Sequence, residues 1–296
     1  MPWHAPFMAI DLPTARRLWR LLEPLHAVTY FSDETREALS AAGYRGFWMG
    51  YFAARAAPLG PVGPEVVTAL FYNFAPSHVA RAIPDAWDFA PPETALKARQ
   101  DAAAATLNRM LGDEAADTID RVVALLYPVA RNADLGGRAL FAANAALPWP
   151  TDRVGALWHA ATLLREHRGD GHVAALTAAG ISGREAGVLH AIATALPRSV
   201  LDAGRQYTDE EWESLTEGLA DRGLLDRSGA ITPAGRALKA DIENTTDRLA
   251  APAYARLTDS AVDDLTTSLL ELTKVVVATG EIPSATPIGP DLDNVG

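Results

Sequence analysis

One stretch of this chain is written twice. Ala38-Leu39-Ser40-Ala41-Ala42-Gly43-Tyr44-Arg45-Gly46 recurs as Ala175-Leu176-Thr177-Ala178-Ala179-Gly180-Ile181-Ser182-Gly183. Upstream, Leu18-Trp19 recurs as Leu157-Trp158; downstream, Ala95-Leu96-Lys97-Ala98 recurs as Ala237-Leu238-Lys239-Ala240. In an alanine-rich chain one match is chance. Three in the same order, with small length changes between them, predict an internal duplication over roughly residues 16–135 and 155–279. A two-fold dimer fused into one polypeptide would read this way.

Length is compatible with that reading, since 296 residues suffice for two units that each bury a core. The first unit is expected over 12–147, the second over 151–279, with Pro148-Trp149-Pro150 at the boundary and loose ends at 1–11 and 280–296. Hydrophobic content of 49% with 21% charged residues is that of a globular chain, not a disordered one. The absence of cysteine excludes disulfides, a thiolate nucleophile and cysteine-held metal. No basic leader precedes an apolar run, and no stretch approaches the roughly 18 apolar residues of a bilayer span, so no membrane role and a cytoplasmic location are expected. Three lysines among 26 basic residues, with abundant Ala, Gly and Pro, reflect the codon bias of a GC-rich bacterial genome.

Nearly every segment predicts helix. Asp11 caps a helix with Pro13 in its first turn, carrying Ala15, Leu18, Trp19, Leu22 and Leu25 on one face. Ser32 starts the next and Gly43 stops it. Further helices are expected at 45–57, 64–74, 76–83, 92–111, 114–131 and 136–146. In the second half they fall at 152–167, 171–179, 182–195, 198–204, 208–222, 233–250 and 259–278. Arg222-Gly223-Leu224-Leu225-Asp226-Arg227-Ser228-Gly229-Ala230-Ile231 reads as two short strands about a tight turn, followed by a helix capped by Thr232 with Pro233. The first half has no comparable hairpin between Trp87 and Pro92.

Helices, the Arg222–Leu225 run, the hairpin and the turn Ile231-Thr232-Pro233-Ala234-Gly235 together resemble the MarR-type winged helix over 155–279. The whole chain is similar to the actinobacterial SalK-like helix-turn-helix family through His26-Ala27-Val28-Thr29-Tyr30-Phe31, Phe71-Tyr72-Asn73-Phe74 and Arg165-Glu166-His167-Arg168-Gly169-Asp170-Gly171-His172. The resemblance implies a mainly α fold: two tandem MarR-like winged-helix copies fused as a pseudo-two-fold dimer, with a β wing clear only in the second. MarR-type dimers hold small ligands between their helical dimerisation part and the winged domains, and an equivalent pocket is implied between the halves here.

The charge pattern argues against DNA as a partner. The net charge is −11, and the segment in the recognition-helix position, 208–222, carries Asp209, Glu210, Glu211, Glu213, Glu217 and Asp221 against Arg222 alone. Base reading needs Arg, Lys, Asn or Gln with cations around them, and acids there oppose counterion release. Residues 200–250 hold 11 acids and 6 bases, among which Arg227 and Arg236 of the wing are the ones able to grip phosphate. The corresponding first-half stretch has Ser77, His78 and Arg81 but is broken by Pro76 and Pro84.

Two groups of side chains are candidates for chemistry. In Arg165–His172, Gly169 and Gly171 permit a loop that would bring His167, Asp170 and His172 together as an acid–base set, with Arg165 and Arg168 for a ligand; the same residues also read as helix capping. Metal-ligand spacing is lacking. The matching first-half position holds His26, Thr29 and Tyr30, which join the acid–base candidates, and Trp158 and His159 lie on the preceding helix. Trp48, Tyr51, Phe52 and Arg55 share a helical face, and Phe71, Tyr72, Asn73, Phe74 and His78 follow; this surface suits an aromatic or polyketide-like ligand with an acidic or carbonyl group, or else forms an aromatic core. No glycine-rich phosphate loop or nucleophile elbow is present. The expected function is small-molecule binding on a repurposed scaffold that has lost DNA binding, extending to cofactor-free acid–base chemistry of secondary metabolism. A ligand-responsive transcription regulator is the alternative. No cofactor is identified, and no oligomer is required.

Overall fold

The computed structural model describes residues 10–283. The loose ends expected at 1–11 and 280–296 fall mostly outside them. The described residues form a mainly helical chain. In the first half the helices are α1 (Leu12–Phe31), α2 (Asp33–Ala41), α3 (Gly46–Ala56), α4 (Pro64–Phe71), α5 (Pro76–Ala80), α6 (Ala86–Phe89), α7 (Pro92–Leu111), α8 (Ala116–Asn132) and α9 (Ala139–Ala145). The second half continues with α10 (Arg153–Ala178), α11 (Gly183–Thr194), α12 (Arg198–Arg205), α13 (Asp209–Asp221), α14 (Pro233–Ala250) and α15 (Asp259–Ala278).

Local chemistry sets most of these boundaries. Asp11 accepts the N–H of Thr14 at 2.8 Å to open α1, and Ser32 accepts that of Thr35 to open α2. Ser182 and Glu185 close a reciprocal capping box on α11. The two similar stretches, 38–46 and 175–183, end their helices in the same way. Gly43 and Gly180 adopt positive φ, with Tyr44 N–H reaching the Leu39 carbonyl at 3.1 Å and Ile181 N–H the Leu176 carbonyl at 3.0 Å. α4 and α12 both end on a residue of positive φ, but differently: Tyr72 has φ 48° and ψ −52°, whereas Gln206, at 54° and 54°, is a left-handed cap.

Three apolar clusters form the interior. The largest joins α1, α7 and α8 to α10 and α15, with Leu18, Leu25, Leu107, Leu126, Leu157 and Leu269 at its centre. A second lies under α2–α7 and includes Phe52, Val67, Phe74 and Ile83; a third lies among α10–α14 and includes Leu176, Val188, Leu201 and Leu219. Two lobes thus stand on a common helical base. α15 packs on α1, and α8 packs on α10, so the last long helix of each half lies against the first helix of the other.

Three local expectations are corrected. The loop expected at 168–170 is helical, because α10 runs unbroken from Arg153 to Ala178. Each mid-helix glycine costs about 1 kcal/mol of propensity, but α10 packs on α1, α7, α8, α9 and α14, and that burial outweighs it. At Gly171 the missing side chain lets Leu249 of α14 approach, since a Cβ there would sit 3.4 Å from the Leu249 Cβ. The wing is a turn with a single antiparallel bridge, Leu225 to Ile231, with no strand on either side. Asp226 Oδ1 takes the N–H groups of Ser228 and Ala230 at 2.8 and 3.0 Å, which closes a five-residue turn and leaves little to extend a ladder. The helix expected at 76–83 closes as α5 at Ala80, and a further short helix, α6, fills the segment before Pro92.

Candidate functional site

The lobes enclose a cavity of about 490 Å³ above the base, within the range of small-molecule sites. Its floor is two helical stripes. On α1, Arg16, Trp19, Arg20 and Glu23 fall at i, i+3, i+4 and i+7; on α10, Arg165, Gly169, His172 and Leu176 fall at i, i+4, i+7 and i+11. One wall is Tyr51 and Arg55 of α3 with the 70–74 segment. The other is Leu189 and His190 of α11, Leu201 and Arg205 of α12, and Lys239, Ile242 and Glu243 of α14. At one edge the lobes touch directly: Tyr72 Oη donates to the Ile181 carbonyl at 2.8 Å, and a Cβ on Gly183 would lie 1.9 Å from the Tyr72 carbonyl oxygen.

The lining is cationic in an acidic protein. Arg16, Arg20, Arg55, Arg165, Arg168, Arg205 and Lys239 face Glu23, Asp170 and Glu243. Two ion-pair networks hold most of these charges. Glu166, buried behind the floor, accepts from Arg55 Nε and Nη2 at 3.1 and 3.2 Å and from Arg165 at 3.0 Å; Arg165 also reaches Glu23, which accepts from Trp19 Nε1 at 3.1 Å. The two guanidiniums hold the Glu166 carboxyl far below the usual range against the opposing effect of burial. Across the floor Arg168 stacks 3.9 Å over the Trp19 ring and pairs with Asp247 at 2.9 Å and Glu243 at 3.1 Å, and Arg16 completes the set on Asp247. Burial disfavours the charged form of three further lining groups. His172, whose Nδ1 lies 2.9 Å from Thr246 Oγ1, and His190 are pushed down to about 4, while Asp170 is pushed up to about 6.

The expected acid–base set does not converge. On a continuous helix His167 stands about 200° around the axis from Arg165, so it leaves the cavity and packs edge-on against Phe141 at 4.9 Å. Asp170 does cap a helix, but one remote in sequence: its Oδ2 accepts the Phe141 N–H at 2.9 Å in the first turn of α9. His26 is buried between Thr162 Oγ1 at 2.9 Å and Tyr30 Oη at 2.8 Å, outside the cavity lining. Tyr30 lines a separate hollow of about 710 Å³ beside α2 and α3, with Tyr51 between the two spaces. Among the described residues no three His, Asp or Glu side chains are grouped to hold a metal.

Of the expected ligand residues, Tyr51, Arg55, Phe71, Tyr72, Asn73, Phe74, Arg165 and Arg168 line the cavity. Trp158 is instead core, donating Nε1 to the His26 carbonyl at 3.3 Å, and His159 is buried against Trp149 at 5.2 Å. Trp48 and His78 pack on each other at 4.7 Å outside the cavity lining, with the Trp48 ring against Gly204 of α12 where the lobes meet. Trp19, expected among the core residues of α1, is on the cavity floor. Glu23, Arg205, His190, Lys239 and Glu243 were not anticipated. The i, i+3, i+4 spacing of Lys239, Ile242 and Glu243 is the signal that marks one of these groups.

The positions at which the winged-helix resemblance implied DNA contact have their own geometry. On α13, Asp209, Glu210, Glu213, Glu217 and Asp221 are exposed, and Arg222 is tied to Glu185 at 3.1 Å. Arg227 and Arg236 are exposed, Arg236 donating to the Ile231 carbonyl at 2.7 Å. In the first lobe α5 has five residues and its His78 is buried.

A helix-turn-helix family model matches residues 15–283, and the chain belongs to that helix-turn-helix family. No curated protein and no solved structure matches it. Among the described residues no helix is long and apolar enough to cross a membrane.

Proposed function

We propose that this is a small-molecule-binding protein built on a helix-turn-helix scaffold, whose site is the cavity between two lobes of one chain. The observation that carries the reading is the lining: seven cations around about 490 Å³, of which Arg20, Arg205 and Lys239 pair with no carboxylate among the described residues, in a chain of net charge −11. Clefts of one sign between low-dielectric walls concentrate counter-ions of the opposite sign. The lobes are read as duplicated MarR-like copies over 12–147 and 151–279. Matching helix ends at Gly43 and Gly180 and the crosswise packing of α8 and α15 support that. In such a pseudo-dimer the cavity takes the place of an inter-subunit pocket. DNA is not the partner in this reading, because the exposed face of α13 presents five carboxylates.

Gly169 provides the test, since a Cβ there would meet only Glu166 Oε2, at 3.6 Å, and a large side chain would extend from the floor into the space. Native mass spectrometry after incubation with a bacterial small-molecule extract should show an adduct of about a few hundred daltons, the size such cavities enclose, on the wild type and not on Gly169→Phe. No adduct, or the same adduct on both, would refute the site.

Family membership and the exposed Arg227 and Arg236 favour a second reading, a ligand-responsive regulator. Retention of labelled duplex DNA by the wild type at low salt, lost in an Arg227→Ala, Arg236→Ala variant, would establish it in place of the first.

A further inference from the structure

Four largely buried guanidiniums line the cavity, those of Arg55, Arg165, Arg168 and Arg205, and the first three are already paired with carboxylates. Arg55 is held by both oxygens of Glu166 and stacks 4.2 Å over Phe71; Arg165 lies between Glu166 and Glu23. Arg205 differs. Its residue is 9% exposed, its guanidinium sits 3.8 Å above the Phe74 ring, and it lines the cavity. Among the described residues no carboxylate lies within 4 Å of it and its side chain makes no hydrogen bond. The nearby Asp202 is engaged by Arg198 at 3.0 Å, and only the backbone carbonyl of Arg205 is used, by Arg184.

Burial alone does not explain that state. Arg99, also buried without a carboxylate, gives its N–H groups to the Ala54 carbonyl at 2.9 Å and Asn144 Oδ1 at 2.8 Å. Arg205 keeps its N–H donors free toward the space. Its nitrogens keep some exposure to the cavity, so an anion there would meet a largely buried cation whose charge is otherwise uncompensated, with the neighbouring Arg55 and Arg165 adding to the repulsion. The ring beneath it fixes the guanidinium plane, leaving its donor edge for a planar two-oxygen acceptor.

We propose that Arg205, seated on Phe74, is the receptor for a carboxylate group of the cavity's ligand, an organic carboxylic acid whose apolar body lies against Leu70, Phe71, Leu140 and Leu201. This rests on the reading of the cavity as a ligand site and names its substrate class. It also moves the anion-binding role from Arg55, where the aromatic face of α3 suggested it, to a residue of the opposite lobe. One ligand then touches both lobes, with its charged end on α12 and its body against the first-lobe aromatics.

The test uses a matched pair, 1-naphthoate and the neutral 1-naphthamide, measured calorimetrically on the full chain. The wild type should bind the acid about tenfold or more tighter than the amide, as expected for a charge-assisted bidentate contact. Arg205→Met should bring the acid down to the amide's affinity and leave the amide unchanged. The ligand-free Tm of Arg205→Met should equal or exceed the wild type's, because an apolar side chain of similar length replaces an uncompensated charge. A fall in that Tm with the acid preference intact would make Arg205 structural. Should Arg205→Met not fold, Arg205→Lys decides: retention of the full preference by a point charge overturns the bidentate assignment, and a loss of about threefold or more supports it.

Other outcomes separate this proposal from the cavity reading. Equal binding of acid and amide by the wild type, both excluded by Gly169→Phe, removes the carboxylate receptor and keeps the cavity. Binding of neither removes both. Displacement of naphthoate by millimolar inorganic phosphate replaces the carboxylate class with a phosphate-bearing one.

Discussion

Acid should unfold this protein well before most of its carboxylates titrate, and histidine is the reason. His78, His159, His167, His172 and His190 are each pushed down to about 4 by burial, which also holds His26 well below the ordinary range. Unfolding returns all six to water, where a histidine takes its proton near 6.5. Their folded values are depressed, so the unfolded chain binds more protons, and the stability they contribute is complete above about pH 6.5 and is lost as pH falls toward 4. Asp170 acts in the opposite sense. Its folded value is raised to about 6, so it takes up a proton in the folded state over part of the same window and offsets most of one histidine. Between pH 7.0 and 5.6 the balance is a loss of about 6 kcal/mol. That approaches the whole stability of many domains, about 5–15 kcal/mol. Urea unfolding followed by far-UV circular dichroism reads it, and pH 5.6 stays above the pI of 5.1. With a slope near 3 kcal/mol per molar, the midpoint should fall by about 2 M. A shift below about 0.3 M would show that these imidazoles are hydrated or paired in the folded state, and the burial argument would fail.

Three substitutions probe the framework. Glu166→Gln leaves Arg55 and Arg165 without their shared buried carboxylate and should cost about 3–5 kcal/mol, with Arg55→Met in the same chain recovering part of it; additive losses in a denaturation double-mutant cycle would contradict the network. Gly183→Ala drives a Cβ against the Tyr72 carbonyl and should cost about 1–3 kcal/mol or more, with hydrogen exchange rising at α4 and α5, whereas a neutral change would mean that the lobes do not touch there. Gly169→Ala should stabilise by about 0.5–1 kcal/mol in thermal unfolding, since it improves helix propensity and meets nothing tighter than ordinary contact; destabilisation would mean that the space above α10 is filled.

The helices were legible because their ends are set locally: Asp11, Ser32, Gly43, Ser182, Thr208 and Thr232 stop or start helices in the places their chemistry implies. What the sequence misled on was nonlocal. Gly169 and Gly171 are loop-formers by propensity, and only the neighbours packed around α10 hold them helical. Once the helix is continuous, its 3.6-residue period sends His167 and His172 to different sides, which dissolves the expected acid–base cluster. Eight expected ligand residues do share one cavity, because the aromatic run at 71–74 and the α3 face are brought onto the same wall. Trp48 shares that face but packs outside the cavity lining, against His78. Arg205 carried no local mark at all. Its significance comes from what is missing around it, and an absent ion-pair partner cannot be read from one sequence.

Whether the cavity is the working site is answered most directly by a crystal structure of the protein soaked with 1-naphthoate. The account predicts the acid within the cavity, its carboxylate on the Arg205 guanidinium and its rings against the 70–74 segment. Naphthoate bound only at the outer surface, with ordered water alone in the cavity, would contradict it.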